Sequence, residues 1–209
     1  LLDGFLNEKG LMILRNLHEI GTILTSALVN SIFFRNKPPL GHQSVKKILV
    51  IKLDHIGDVL LSTPVFSNLH NYCPEAEIDV LVGSWSRPVL ENISYISKIW
   101  EYNSPFFCRS SNNTSFFDSV WLSNRLRKHK YDLIVELRGD FFTAMIAPFS
   151  CKCRITRASL QVREKFLSSN SNKVKHEIER NLNVLEHYGI KVKKQQTFFD
   201  LLQEKREWA

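Results

Sequence analysis

Residues 46–64 read KKILVIKLDHIGDVLLSTP. The first eight, Lys46 to Leu53, form an almost continuous β-rich apolar run, the pattern of a strand buried on both faces of a sheet. The chain then turns through Asp54, His55, Ile56, Gly57 and Asp58. Val59, Leu60, Val65 and Leu69 follow at helical spacing as far as Tyr72-Cys73-Pro74. Strand, short turn and helix make the opening of a βαβ unit, with a carboxylate at the point where the helix starts. Pro64 lies inside the helical pattern and predicts a kink there, because proline removes an intrahelical hydrogen bond.

Working outward, the same alternation repeats. IDVLVG (78–83), SKIWEYN (97–103), YDLIVEL (131–137) and CRITRA (153–158) read as further strands. DSVWLSNRLRKH (118–129), FFTAMIAPF (141–149) and HEIERNLNVLEHYG (176–189) read as helices, the last ended by Gly189. Strands alternating with helices predict an α/β fold, a Rossmann-like parallel sheet with helices on both faces. In such sheets ligands bind beyond the carboxyl ends of the strands, where the Gly57-Asp58 turn falls. The polar stretch 106–117 reads as a surface excursion and a candidate binding loop. NKPPLGHQ (36–43) reads as a linker, so residues 1–45 form a helical segment with its linker and 46–209 the domain proper.

At 44% hydrophobic over 209 residues, the chain has the material for a real core, which excludes a disordered class. Its formal charge of +7 suits anionic partners, but no nucleic-acid motif accompanies it, so nucleic acid is not expected. Cys73, Cys108, Cys151 and Cys153 lack the spacing of a zinc site and read as reduced, small apolar residues. Within 11–34, Leu11, Leu14, Leu17, Ile20, Ile23 and Leu24 recur as one face of an amphipathic helix. That helix either packs on its own domain or lies in a membrane interface, with Arg35 and Lys37 at its end.

Neither a G-x-G-x-x-G fingerprint nor a Walker A loop is present, since Gly57 is the one glycine of the first turn. Asp58 therefore has two readings: a cap for the helix N-terminus, or a general base facing the cleft. Gly57 allows the tight turn and keeps the site open. His55 is either a hydrogen-bonding group for a ligand hydroxyl or an exposed loop residue. Arg87, opening the helix after the second strand, and Arg138, at the carboxyl end of another, are candidates for binding an anionic ligand. Asp140 reads as a helix cap. Arg163, Lys165, Lys173 and Lys175 form a basic flank that is either a solvated face or a phosphate contact.

Residues 46–83, KKILVIKLDHIGDVLLSTPVFSNLHNYCPEAEIDVLVG, resemble the opening of the ADP-heptose:lipopolysaccharide heptosyltransferase family, glycosyltransferase family 9. YDLIVELRGDFFTAMIA (131–147) and HEIERNLNVLEHYGI (176–190) resemble later family segments, in the family's order. The resemblance implies the N-terminal, acceptor-binding half of a GT-B glycosyltransferase, with the donor-binding half absent from this chain. It implies Asp58 as the general base of an inverting transfer that uses no metal and no cofactor. The expected partners are a nucleotide-sugar donor such as ADP-heptose, a lipid-linked anionic glycan acceptor and an inner-membrane surface, which implies a cytoplasmic enzyme, peripheral on that membrane. One departure stands out: Phe142-Thr143 replaces the family's usual Arg-Ser or Arg-Thr pair, so the acceptor here is open to difference. The Leu1 start predicts a piece of a longer protein. A chain ending naturally near Ala209 would instead be a non-catalytic α/β binding module associated with membranes.

Overall fold

The structure, a computed structural model, describes residues 20, 21, 44–103, 116–140, 143, 146, 151, 153–158, 160, 161, 176–193 and 197. Outside these lie the linker, the basic flank, Cys108, nearly all of the 11–34 segment, most of the 106–117 stretch, and the 141–149 helix apart from Thr143 and Ile146.

Five strands, β1 (Lys47–Ile51), β2 (Glu77–Val82), β3 (Ile96–Glu101), β4 (Leu133–Glu136) and β5 (Cys153–Thr156), form one sheet in the order β3-β2-β1-β4-β5. Every neighbouring pair is parallel. The helices are α1 (Ile56–Leu60), α2 (Thr63–Tyr72), α3 (Arg87–Leu90), α4 (Phe116–Arg127) and α5 (Glu177–His187). The expected Rossmann-like α/β architecture is present.

The two-residue period of a strand sorts each apolar run onto two faces. Ile48 and Val50 of β1 join Ile78, Val80, Leu133, Val135 and Ile155 in one core, covered by Val65, Phe66 and Leu69 of α2 and Leu182 and Leu185 of α5. Leu49 and Ile51 join Leu81 and Ile134 in the other, covered by Leu122 and Leu126 of α4. This is why Lys46–Leu53 reads as unbroken rather than alternating: both faces are covered.

Pro64 corrects the expected kink. The chain ends α1 at Leu60 and begins α2 at Thr63, placing Pro64 in the first turn of α2. A first-turn N–H has no intrahelical partner to lose, so proline costs nothing there. The hydroxyls of Ser62 and Thr63 donate to the carbonyls of Val59 and Leu60 and close the break. At the other end of the fold, Gly189 has φ 84° and follows α5, where the Ile190 N–H reaches back to the Leu185 carbonyl. That is the C-terminal closure for which glycine is favoured.

The end of β4 is organised by one buried carboxylate. Glu136 is fully buried, and its Oε1 accepts from the backbone N–H of Arg138 (2.8 Å), the N–H of Gly139 (2.7 Å) and the Thr143 hydroxyl (2.9 Å). Its Oε2 accepts from the Thr156 hydroxyl on β5 at 2.7 Å. Gly139 has φ 83°, and a Cβ there would stand 2.9 Å from the Ala158 backbone nitrogen. The loop carrying Arg138 is thus fixed in place from within. We predict that Glu136→Ala, which strands these donors in the interior, lowers unfolding free energy by about 3 kcal/mol. A shift of the urea midpoint with unchanged slope is the measurement.

Candidate functional site

In a sheet ordered β3-β2-β1-β4-β5 the chain leaves the central strand β1 first to one side and then to the other. The connections after β1 and β4 therefore diverge and leave a crevice at their carboxyl ends. A cleft of about 250 Å³ lies there, lined by Lys52, Asp54, Asp58, Arg138, Arg157, Gln161 and Glu177.

Most of these charges are locked to one another. Lys52, 2% exposed, places its ammonium 3.1 Å from Asp54 Oδ2 and 3.2 Å from Glu177 Oε1. The same Glu177 oxygen accepts from Arg157 Nη1 at 2.8 Å. Asp54 Oδ1 accepts from Arg138 Nη1 at 2.5 Å, and Arg138 Nε donates to Asp140. Burial lowers the Arg138 pKa, opposed by the carboxylates of Asp54, Glu136 and Asp58. Burial by itself would raise the Glu177 pKa. The Arg157 hydrogen bond and the Lys52 and Arg157 charges outweigh it and hold the carboxyl at about 2.

Asp58 differs. It occupies the first turn of α1, but the N-cap position belongs to His55, and among the described residues Asp58 makes no hydrogen bond or ion pair. Its side chain is partly exposed and lines the cleft. The capping reading fails because the helix starts three residues earlier than a cap at Asp58 requires.

The other candidates separate cleanly. Arg138 is in the cleft, braced by Asp54 and Asp140. Arg87 is not: it is exposed, and Glu91 (2.6 Å) and Glu101 (2.5 Å) take its guanidinium on the β3 side of the sheet. His55 is exposed beside the cleft without lining it. Gly57 sits in a helical turn with open space where a Cβ would be, so it keeps the approach clear and makes no left-handed turn. Asp140 behaves as the expected cap, its Oδ1 accepting from the Thr143 N–H at 2.7 Å.

Lys52, Asp54, Arg157, Gln161 and Glu177 were not singled out as site residues by sequence. Lys52 sits in an apolar run and Glu177 in the first turn of a charged helix, where solvated side chains are the rule. A lysine one residue past a buried strand was the available signal. Trp85 was missed too: its indole N–H donates to the Asp54 carbonyl at 2.9 Å and holds the loop after β1. Gly83 makes room for it, since a Cβ there would stand 2.3 Å from the indole ring. Among the described residues, no group of three or more His, Cys, Asp and Glu side chains is arranged to hold a metal ion.

Because Glu177 is depressed in the folded state, its contribution to stability is present above the unfolded carboxyl range and lost as pH falls toward about 2. We expect Glu177→Gln to be less stable than the wild type at pH 7. Its unfolding free energy should also depend less on pH between about 5 and 2. Urea titrations across that range read both.

No protein-family model matches the chain. It is 30% identical over 140 residues to lipopolysaccharide heptosyltransferase 3 of Escherichia coli, an alignment covering 64% of this chain and 40% of that protein. The glycosyltransferase family 9 structure from Veillonella parvula superposes with a TM-score of 0.62 at 19% identity, over 83% of this chain and 49% of that one. The structure of E. coli ADP-heptose lps heptosyltransferase II gives 0.54 at 20% identity, over 78% and 49%. The chain thus spans about half or less of the length of the relatives it matches. In sequence the chain is similar to lipopolysaccharide heptosyltransferases over part of their length, and in fold to a glycosyltransferase family 9 structure and a heptosyltransferase structure.

Proposed function

We propose that this chain supplies the acceptor-binding half of an inverting glycosyltransferase. The enzyme moves heptose, or a related sugar, from an ADP-sugar to a lipopolysaccharide-core or similar lipid-linked glycan. The observation that carries the reading is Asp58: in a cleft of mutually paired charges, it is the carboxylate with no hydrogen-bond or ion-pair partner among the described residues. The ADP-sugar is supported by the name of the E. coli structural relative, an ADP-heptose lps heptosyltransferase.

A sugar hydroxyl is a weak nucleophile, and a carboxylate within about 3 Å accepts its proton as the oxygen attacks. Asp58 does this for the acceptor hydroxyl. The new bond forms at the anomeric carbon while the bond to the diphosphate breaks on the opposite face, so configuration inverts. Arg138, 24% exposed at its side chain and braced on two sides, presents cationic N–H groups to an anionic acceptor substituent. Lys52 and Arg157 are buried beneath it and act through Asp54 and Glu177. Residues 46–209 would form the acceptor domain and 1–45 an appended segment. The donor would be held by the facing half of the enzyme. A lipid-linked acceptor and a cytosolic donor put the enzyme at the cytoplasmic face of the inner membrane.

In a full-length enzyme carrying this domain, Asp58→Asn should lower kcat for ADP release by about a hundredfold or more. Undiminished turnover in that variant would overturn the base assignment. Arg138→Ala should raise the acceptor KM about tenfold, the loss of one charge-assisted hydrogen bond. The KM for the nucleotide sugar should stay unchanged.

A further inference from the structure

Away from the cleft, α4 carries a surface that the transfer chemistry does not use. Among the large apolar residues described, the exposed ones are Ile56, Val120 and Trp121, and two of the three are adjacent on this helix. Val120 is 53% exposed and Trp121 60%. Leu122 and Leu126 face the core, which turns Val120, Trp121, Asn124, Arg125, Arg127 and Lys128 outward on the opposite arc.

Among the described side chains of this arc, the charge has one sign. Arg125, Arg127, Lys128 and Lys130 are all exposed, as is Lys98 on the neighbouring edge strand β3, and among the described residues none of the five is in an ion pair. Two of these cations are organised by rings. The Arg125 guanidinium lies 4.6 Å from the Trp121 ring centroid and 5.3 Å from that of Trp100, and Lys98 Nζ lies 3.7 Å from Trp100. Trp100 is itself anchored, its indole N–H donating to Tyr131 Oη (3.1 Å) and Asp79 Oδ2 (3.3 Å). The result is a fixed ladder of cations and indoles ending in an exposed tryptophan.

We propose that the exposed face of α4, with Lys98 of β3, docks on an anionic lipid bilayer. Protein interfaces are depleted of lysine, whereas three of the five cations here, Lys98, Lys128 and Lys130, are lysines. Tryptophan settles at the headgroup level of a bilayer, and lysine and arginine beside it are drawn to an anionic leaflet. Each cation near an anionic leaflet adds to the attraction, and none has a carboxylate partner among the described residues. The inference draws on the proposed function only in that a lipid-linked acceptor brings the enzyme to a bilayer. It concerns a different surface, and its test contains neither sugar donor nor acceptor, so each reading fails independently.

The test is co-sedimentation of the whole chain, residues 11–34 included, with vesicles of equal parts phosphatidylglycerol and phosphatidylcholine. Wild type should bind these vesicles, release them as salt is raised, and ignore pure phosphatidylcholine. Trp121→Ala/Arg125→Glu should weaken binding at least tenfold. Arg127→Glu/Lys128→Glu, which leaves the stacked rings intact, should weaken it by a similar factor, so the outcome does not hinge on the fold of the first variant. Binding that survives in both variants would assign the membrane contact elsewhere, the 11–34 segment included, and overturn the proposal. So would absence of wild-type binding, or capture by a protein or nucleic acid with none by lipid.

Discussion

The parallel pairing of β1 with β4 is the constraint from which the site follows. It sets Ile51 beside Glu136, so the two strands end together and their connections diverge in opposite directions. Asp54 and Arg138, 84 residues apart in the chain, thereby meet at 2.5 Å. Neither residue reaches the other through local structure. Without that register there is no crevice and no pair.

Around the crevice, charges are buried only where they are matched. Lys52 lies between Asp54 and Glu177, and Arg157 shares Glu177, because an unpaired charge at such depth costs several kcal/mol. Such networks seldom add much net stability, since desolvation offsets attraction. Their effect is geometric: they set the two arginines and the loop after β1 in one arrangement. Against that background Asp58 stands apart, a cleft carboxylate with no hydrogen-bond or ion-pair partner among the described residues.

Strands and helix faces were legible because they depend on periodicity, which is written locally. Ile48 to Ile51 alternate between two cores, and both coverings were implied by an apolar run with no polar interruption. Gly189 and Asp140 were legible for the same reason, as each acts within a few residues of itself. Pro64 was misjudged because a helix boundary and a helix interior carry the same apolar spacing. Arg87 was drawn toward the cleft by its position after β2, yet Glu101 of β3 claims it, a partner visible only once the edge strand is in place.

By itself, the sequence determined the class of fold, the position of Asp58 at the turn after the first strand, and the family resemblance carried by three ordered segments. These rest on spacing and on residue type, and both are properties of the chain. Tertiary structure decided whether Asp58 caps or stands open, which cations enter the cleft, and that Lys52 and Glu177, 125 residues apart, share one ion network. Electrostatic pairing depends on distance and burial, and those exist only after the strands have chosen their neighbours.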